Sequence, residues 1–412
     1  MRVAFLLQDI QLSGGVGVVV EHASQLVRHH GFDVRLVLTR PQEEPHWPYR
    51  GLEHVPVMTL EEAQRETFDI AVATWWETTS VLFQLDAARY VYFIQLLEDS
   101  TYAPDSPARL AASMTTALPV RFITEARWIA DTVERFQPDN RALYVRNGIP
   151  KDVFVSPPRV APALASEPLR IVIEGSQDLP HKGVGDALAA TALMREPRHV
   201  TLVTPHPRGG GLAGVDTVVS GLSHPEMAGL LAGQHTMLKL TRVEGMYGPP
   251  LEAFHMGATV VTTRVTGFDE YIRHGWNGLT VGWDDPHGTA RALDLLARDR
   301  RLLHRLRHNA LQTAHGWPSW EQSSALMALA LRTVCREPPP SPRSAGLRLA
   351  SDFASERAEH QRYQHRLEIH EATLEELLSQ KAWQWSVKAR RYYYRARAPV
   401  GRLRRKLQER DF

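Results

Sequence analysis

Cysteine is almost missing from this chain. One residue, Cys335, stands among 412, so neither an internal disulfide nor a cysteine-rich metal site can form, and the composition fits a reducing compartment. No stretch approaches the roughly 20 apolar residues of a membrane span. The opening MRVAFLL turns polar too soon for a secretory signal and reads as a first strand. No Asp-x-Asp pair stands at the end of an apolar run, so no metal is expected. Net positive charge is confined to the tail. Residues 385–412 carry ten Lys or Arg against Glu409 and Asp411, which leaves residues 1–384 net negative although the whole chain is +2. A nucleic-acid enzyme would spread its cations along a groove, so nucleic acid is not expected as a partner.

What is present is an alternation of short apolar runs and amphipathic segments. RVAFLL reads as a strand, Ser13-Gly14-Gly15-Val16-Gly17 as a turn, Val18 to His30 as a helix stopped by Gly31, and DVRLVL as the next strand. FDIAVAT (68–74), YVYFIQ (90–95) and VRFIT (120–124) extend the series, with RWIADTVERF (127–136) as a helix. The pattern restarts after the Pro- and Ala-rich SPPRVAPALASEP. LRIVIEG (169–175), HVTLVT (199–204), DTVVSG (216–221), TMLKL (236–240) and TVVTT (259–263) read as strands, and GVGDALAATALM (183–194) and LEAFHMG (251–257) as helices. Near-continuous apolar strands indicate parallel sheets covered on both faces. The expected class is therefore α/β with two doubly wound, Rossmann-like domains facing across a cleft.

The expected divisions are 1–155 for the first domain, 166–318 for the second and 319–337 for a helix returning toward the first. Residues 345–412 would form a helical arm. Residues 289–311 read as helical, Trp317-Pro318-Ser319-Trp320 as a break and Glu321 to Cys335 as helical again. Leu367, His370, Leu374, Leu377 and Lys381 are spaced for a short coiled coil, and hence a homodimer through 352–381. A solvated arm on the protein's own surface fits the same spacing. The aromatic and cationic residues of 383–412 suit an anionic membrane surface; nucleic-acid binding and a solvated arm remain open.

EGMYGPPLE, residues 244–252, places two carboxylates around a Tyr-Gly-Pro-Pro turn. Pro250 fits the first turn of the following helix, and Glu252 is expected in the same turn beside free N–H groups. Gly245 and Gly248 would permit close backbone approach. Donors for phosphate beside acceptors for sugar hydroxyls describe a nucleotide-sugar site; two acids at a helix's positive pole would also stabilise the helix without any ligand.

The segments EGMYGPPLEAFHMGATVVTT and GFDEYIRHGWNGLTV resemble the retaining, GT-B-fold glycosyltransferases of family 4, whose motif is two glutamates separated by seven residues. The resemblance spans about residues 1–335. It implies that Glu252 holds the ribose and that Glu244 faces the transferred sugar at the reacting carbon. The backbone of Met246, Tyr247 and Gly248 would contact the sugar or its phosphate, and Gly14, Gly15 and Gly17 would approach the diphosphate. Lys182 would neutralise the leaving group. The family's arginine is replaced by Gln177, for which Lys239 or Arg242 could substitute, and the link motif around Asn147-Gly148-Ile149 and Phe154 has Pro150 in place of an aspartate. Gln95, a catalytic candidate, stands where many members carry a histidine that contacts the sugar. YFIQ followed by acids is similar to some rhamnosyltransferases and hints at rhamnose or another hexose.

The implied function is retaining transfer of a sugar from a UDP, GDP or dTDP donor, with no other cofactor, to a glycan or lipid-linked glycan. It would take place in the cytoplasm, with peripheral attachment at the inner face of the membrane through the tail. Trp75, Trp76, Glu77, Glu98 and Asp99 are the acceptor-binding candidates. A nucleotide-sugar isomerase or epimerase of similar fold and a non-catalytic glycan-assembly module are the alternatives. A dinucleotide-dependent oxidoreductase fits less well, because SGGVG lacks the Gly-x-Gly-x-x-Gly spacing.

Overall fold

Seven short strands open the chain; the inner ones, such as RVAFLL and RFIT, are almost wholly buried, whereas the edge strand VMT is largely exposed. The computed structural model describes residues 1–41, 47–164, 166–205 and 214–340, with seven further positions between 358 and 372. The first sheet comprises β1 (Arg2–Leu7), β2 (Asp33–Leu38), β3 (Val57–Thr59), β4 (Thr67–Ala73), β5 (Asp86–Ile94), β6 (Arg121–Thr124) and β7 (Leu143–Tyr144). Their order is β3-β2-β1-β4-β5-β6-β7, all parallel. The second contains β8 (Leu169–Glu174), β9 (Arg198–Val203), β10 (Thr217–Val219), β11 (Thr236–Lys239), β12 (Thr259–Thr263) and β13 (Gly278–Val281). Their order is β10-β9-β8-β11-β12-β13, again all parallel. Strand order reverses between β1 and β4 in one sheet and between β8 and β11 in the other. Ligands of such sheets bind at the carboxyl ends of the strands at these points.

Both sheets lie in one compact unit. The chain crosses from one to the other at 147–150 and returns beside that crossing at 317–320. The Trp317 indole donates to the Asn147 carbonyl at 2.9 Å, and Ile149 N donates to Pro318 O at 3.2 Å. The helix Trp320–Arg336 then packs its Met327, Leu331 and Val334 into the first sheet's core, with Val19, Val20 and Leu26 of the helix Gly14–His30.

Several element boundaries differ from the sequence reading. The glycines expected in a turn are already helical: Ser13 is the cap and Gly14 to Gly17 form the opening turn. The helix expected at 251–257 runs from Gly248 to His255 and takes both prolines into its first turn, where their missing N–H groups break no helical bond. The single stretch expected over 289–311 is two helices, Pro286–Arg298 and Arg300–His315. Among the described residues no helix is long and apolar enough to cross a membrane. The described positions of 358–372 are helical and exposed. The expected coiled-coil seam at Leu367, Leu374 and Leu377 and the tail 383–412 lie outside the described residues.

Candidate active site

The loop after β1 leads directly into the long helix Gly14–His30. Its first internal bond is Gly17 N to Ser13 O, 3.0 Å, so the amides of Gly14, Gly15 and Val16 have no intrahelical partner. No side chain caps this end and no acid occupies its first turn. Tyr49 props the approach: its hydroxyl accepts from Ser13 N at 2.7 Å and donates to Gln11 O at 2.9 Å. A Cβ at position 17 would meet the Tyr49 ring at 3.2 Å, and one at 15 would meet the Gln95 amide at 3.3 Å. These glycines therefore make room for neighbours rather than for a positive φ. Burial pushes the Tyr49 hydroxyl up to about 12, so it remains a neutral strut.

At the second sheet's reversal, Lys182 Nζ lies 3.0 Å from Glu244 Oε1. The loop after β8 brings Lys182 there. Gly183 allows the sharp entry into the next helix, because its φ is +65° and a Cβ would overlap the Leu240 backbone. Arg242 N and the Thr241 hydroxyl both donate to His181 O, at 2.8 and 3.0 Å, joining this loop to the one after β11. Below them Lys239, buried at 3% exposure, pairs with Glu174. Burial opposes the Lys239 charge, but Glu174, Glu244 and Glu252 outweigh it and hold its pKa above the usual value. Burial likewise opposes the Glu174 carboxylate, and the Lys239 ammonium outweighs it and lowers that pKa. Glu252 has no such partner: loss of water around its carboxyl, then repulsion from Glu174, raise it to about 7.

The structure changes four expectations here. Glu252 is the fifth residue of its helix, beyond the opening turn. Pro249 and Pro250 carry no N–H, so the expected row of backbone donors shrinks. The Met246 amide is engaged, donating to Glu125 Oε1 at 2.9 Å, and the Tyr247 side chain is core, its hydroxyl 3.0 Å from Lys239 O and 2.8 Å from Thr262 Oγ1. Arg242 turns to Asp186, at 3.1 Å, and to Asp284. Of the two candidates for the missing arginine, Lys239 is the one set among the glutamates.

Gly245 admits the first sheet, not a ligand. A Cβ there would overlap the Gln95 carbonyl oxygen and lie 2.8 Å from its carbon and 2.9 Å from Glu125 Oε1. The Trp128 indole donates to Gly245 O at 2.9 Å. Gln95 thus touches both motifs, its side chain over Gly15 and its backbone under Gly245, and its Oε1 is buried without a partner. Gly248, by contrast, has open space where a Cβ would stand.

The acceptor-side candidates divide. Trp76 is half-buried, its indole donating to the Tyr102 hydroxyl at 2.9 Å with the rings edge to face. Trp75 is half-buried, and Glu77 pairs with Arg40. Glu98, an acceptor-binding candidate, is buried in the fold: it is 3% exposed, receives the Tyr92 hydroxyl at 2.7 Å, and burial raises it to about 8. Asp99 beside it is half-buried. Sequence reasoning missed Glu125, Glu174, Tyr49 and Trp128. The readable signal for the first two was an acid closing an apolar strand, as in RFITE and LRIVIE.

Two parallel sheets with facing reversal points and this loop arrangement have counterparts among solved structures. Anabaena HepE in complex with UDP and glucose is 15% identical, with 81% of this chain and 100% of that chain covered and a TM-score of 0.64. The fold is GT-B. Two other structures share it: sucrose-phosphate synthase from Thermosynechococcus elongatus (14% identity, coverage 81% and 98%, TM-score 0.63) and WaaG, a glycosyltransferase involved in lipopolysaccharide biosynthesis (15%, 80% and 99%, 0.62). Residues 168–299, which contain all six strands of the second sheet, match the family model described as "Glycosyl transferases group 1". No curated protein sequence matches the chain. The matched domain and the GT-B fold together mark an enzyme of the glycosyltransferase class.

Proposed function

We propose that the protein is a retaining glycosyltransferase of family 4 type, moving a hexose from a nucleoside-diphosphate sugar to a glycan or lipid-linked glycan. The observation that carries this reading is the Lys182–Glu244 contact at the second sheet's reversal, with Lys239 buried beneath it among Glu174, Glu244 and Glu252. One half of the site supplies cations for a diphosphate, the other carboxylates for hydroxyls. In this reading Glu252 holds the ribose, and the free amides at Gly14 to Val16 face the diphosphate from the first sheet. Lys182 transfers its charge from Glu244 to the leaving phosphate, and Lys239 supports the potential that the absent arginine would supply. The bond from the anomeric carbon to phosphate oxygen breaks with its electron pair on the diphosphate. The acceptor oxygen attacks on the same face, and its proton passes to that phosphate oxygen. Glu244 orients the sugar and stabilises positive charge at the ring; such pre-organised electrostatic contacts are worth several kcal/mol in rate, on the order of 2.7–4.

Relatives bound to UDP and to UDP-glucose support a nucleotide donor. YFIQ in place of a histidine favours a deoxysugar such as rhamnose, which offers one hydroxyl fewer to the site. The half-buried Trp75 and Trp76 suit a sugar acceptor beside the first sheet. The basic aromatic tail suits a lipid-linked acceptor at the cytoplasmic face of a membrane. The test is thermal stabilisation by UDP, GDP and dTDP sugars, followed by release of the nucleoside diphosphate. Stabilisation by one of them, weakened in Glu252→Ala, is expected. A flat response to all three nucleotides would remove the donor site from the proposal.

A further inference from the structure

The signature loop is held from the other side of the molecule by a carboxylate in the first sheet, and this deepens the reading just given while resting on it. Glu125 directly follows β6. Its Oε1 accepts the Met246 N–H at 2.9 Å and its Oε2 accepts Asn147 Nδ2 at 2.6 Å. The residue is 5% exposed, and burial raises its pKa to about 8, the two hydrogen bonds opposing the rise. Asn147 lies where the chain crosses between the sheets and is itself fixed there by Trp317, which donates to its carbonyl. One carboxyl therefore ties the crossing segment to the residue two positions after Glu244.

Two neighbouring contacts act on the same loop. Trp128 donates to Gly245 O, and Gly245 lies against the Gln95 carbonyl with no room for a side chain. A second acid, Glu270, reaches back to the first sheet and receives Arg127 N and the Tyr144 hydroxyl, the latter at 2.7 Å. None of these contacts uses an atom that the proposed chemistry needs. Their common effect is to fix the backbone from which Glu244 projects.

We propose that Glu125 is a positioning residue for sugar transfer, holding the Met246 amide so that Glu244 is presented correctly to the sugar only while the two sheets are docked. The carboxyl's charge is not what the role requires. An acceptor for Met246 N and a partner for Asn147 suffice, and Asn147 Oδ1 is buried without a partner. A neutral amide at position 125 would accept from Met246 N, and the Asn147 amide would turn its oxygen to meet the new N–H. Shortening the side chain by one methylene keeps the carboxyl but withdraws the acceptor.

The test compares Glu125→Asp with Glu125→Gln in the full chain, with thermal melting to check folding. Hydrogen–deuterium exchange over residues 244–250, without any ligand, is the first readout. Met246 should be protected in the wild type and in Glu125→Gln and should exchange faster in Glu125→Asp, while β11 and β12 stay protected. Nucleoside diphosphate release from UDP-glucose, GDP-mannose and dTDP-rhamnose is the second. Glu125→Asp should lower kcat about 100-fold, the loss a displacement near 1 Å produces, with donor KM within about threefold. Glu125→Gln should recover most of that loss. A freely exchanging Met246 amide in the wild type overturns the proposal, as does a kcat in Glu125→Asp within threefold of wild type or a fall in Glu125→Gln as deep as in Glu125→Asp. If the wild type releases nothing from any donor, the function assigned above fails instead, and the exchange data alone decide whether Glu125 holds the loop.

Discussion

Gly245 has its backbone pressed against the carbonyl of Gln95, and a Cβ there would lie 2.8 Å from the Gln95 carbonyl carbon. Backbone cannot yield as the tip of a side chain can. Gly245→Ala should therefore push the two sheets apart, costing about 1–3 kcal/mol as overpacking does and cutting kcat by at least an order of magnitude. Gly248→Ala is the control, since nothing stands within 4 Å of its Cβ and its φ is not positive; it should melt within a degree or two of wild type. Melting curves and turnover of both variants check this, and equal behaviour of the pair would contradict the packing argument.

That contact also explains why part of the site was legible in the sequence and part was not. TVVTT and RWIADTVERF are strand and helix over the expected residues, because a buried apolar run and a periodic apolar stripe are local signals. The glutamate pair, Lys182 and Gln95 were readable as a pattern, and the fold brings Lys182 to Glu244 and Gln95 to Gly245. Glu125 and Met246 are 121 residues apart, and nothing in either segment announces the other. SGGVG reads as a turn by glycine's propensity, but packing against Tyr49 and Gln95 overrides it and the helix begins there. The helix His224–Ala232 was missed although Ser223 and Glu226 form a capping box, a signal that was available.

Lys182 and Glu244 should behave as a coupled pair. Lys182→Met leaves Glu244, 13% exposed at its side chain, without its cation, and Glu244→Gln leaves the lysine unpaired. Each should lower kcat by about 100- to 1,000-fold, the range for losing one transition-state electrostatic contact. In the ligand-free protein the double variant should be less destabilised than the two single losses added together, by about 0.5–3 kcal/mol. A double-mutant cycle on denaturant unfolding measures this, and strict additivity would mean the contact carries no energy.

Glu252 and Lys239 predict a distinct effect on nucleotide affinity. Glu252 lacks a bonded cation and is held near pH 7 by burial and by Glu174. If its carboxylate accepts ribose hydroxyls, nucleoside diphosphate affinity should rise as pH rises from about 6 to about 8. Glu252→Gln should flatten that dependence while lowering affinity at pH 8 by about tenfold, the value of one charge-assisted hydrogen bond. Calorimetric titration with UDP, GDP and dTDP at several pH values reads it directly. A pH dependence unchanged in Glu252→Gln would assign the titration to another group.

Glu98 offers a test of the fold that does not involve the donor. Its carboxyl is buried beside the Tyr92 hydroxyl, and burial first, with Asp99 and Glu125 adding repulsion, raises its pKa from 4.5 to about 8. Between those values the folded protein keeps a proton that the unfolded chain has released. Stability therefore falls as pH climbs through that interval, whereas a carboxylate stabilised by a salt bridge would give the opposite slope. The contribution is intact below about pH 4.5 and gone once pH passes about 8. Glu98→Gln, neutral at every pH, should remove part of this decline and melt a few degrees above wild type at pH 8.5, with a smaller difference at pH 5. Glu125 titrates over the same interval, so the slope should be reduced rather than abolished, and the further substitution Glu125→Gln in the same chain should flatten it again. Melting temperatures across pH 5 to 8.5 for the wild type, Glu98→Gln and the double variant give the comparison; a slope that is the same in all three would show that neither carboxyl keeps a proton on folding in this interval.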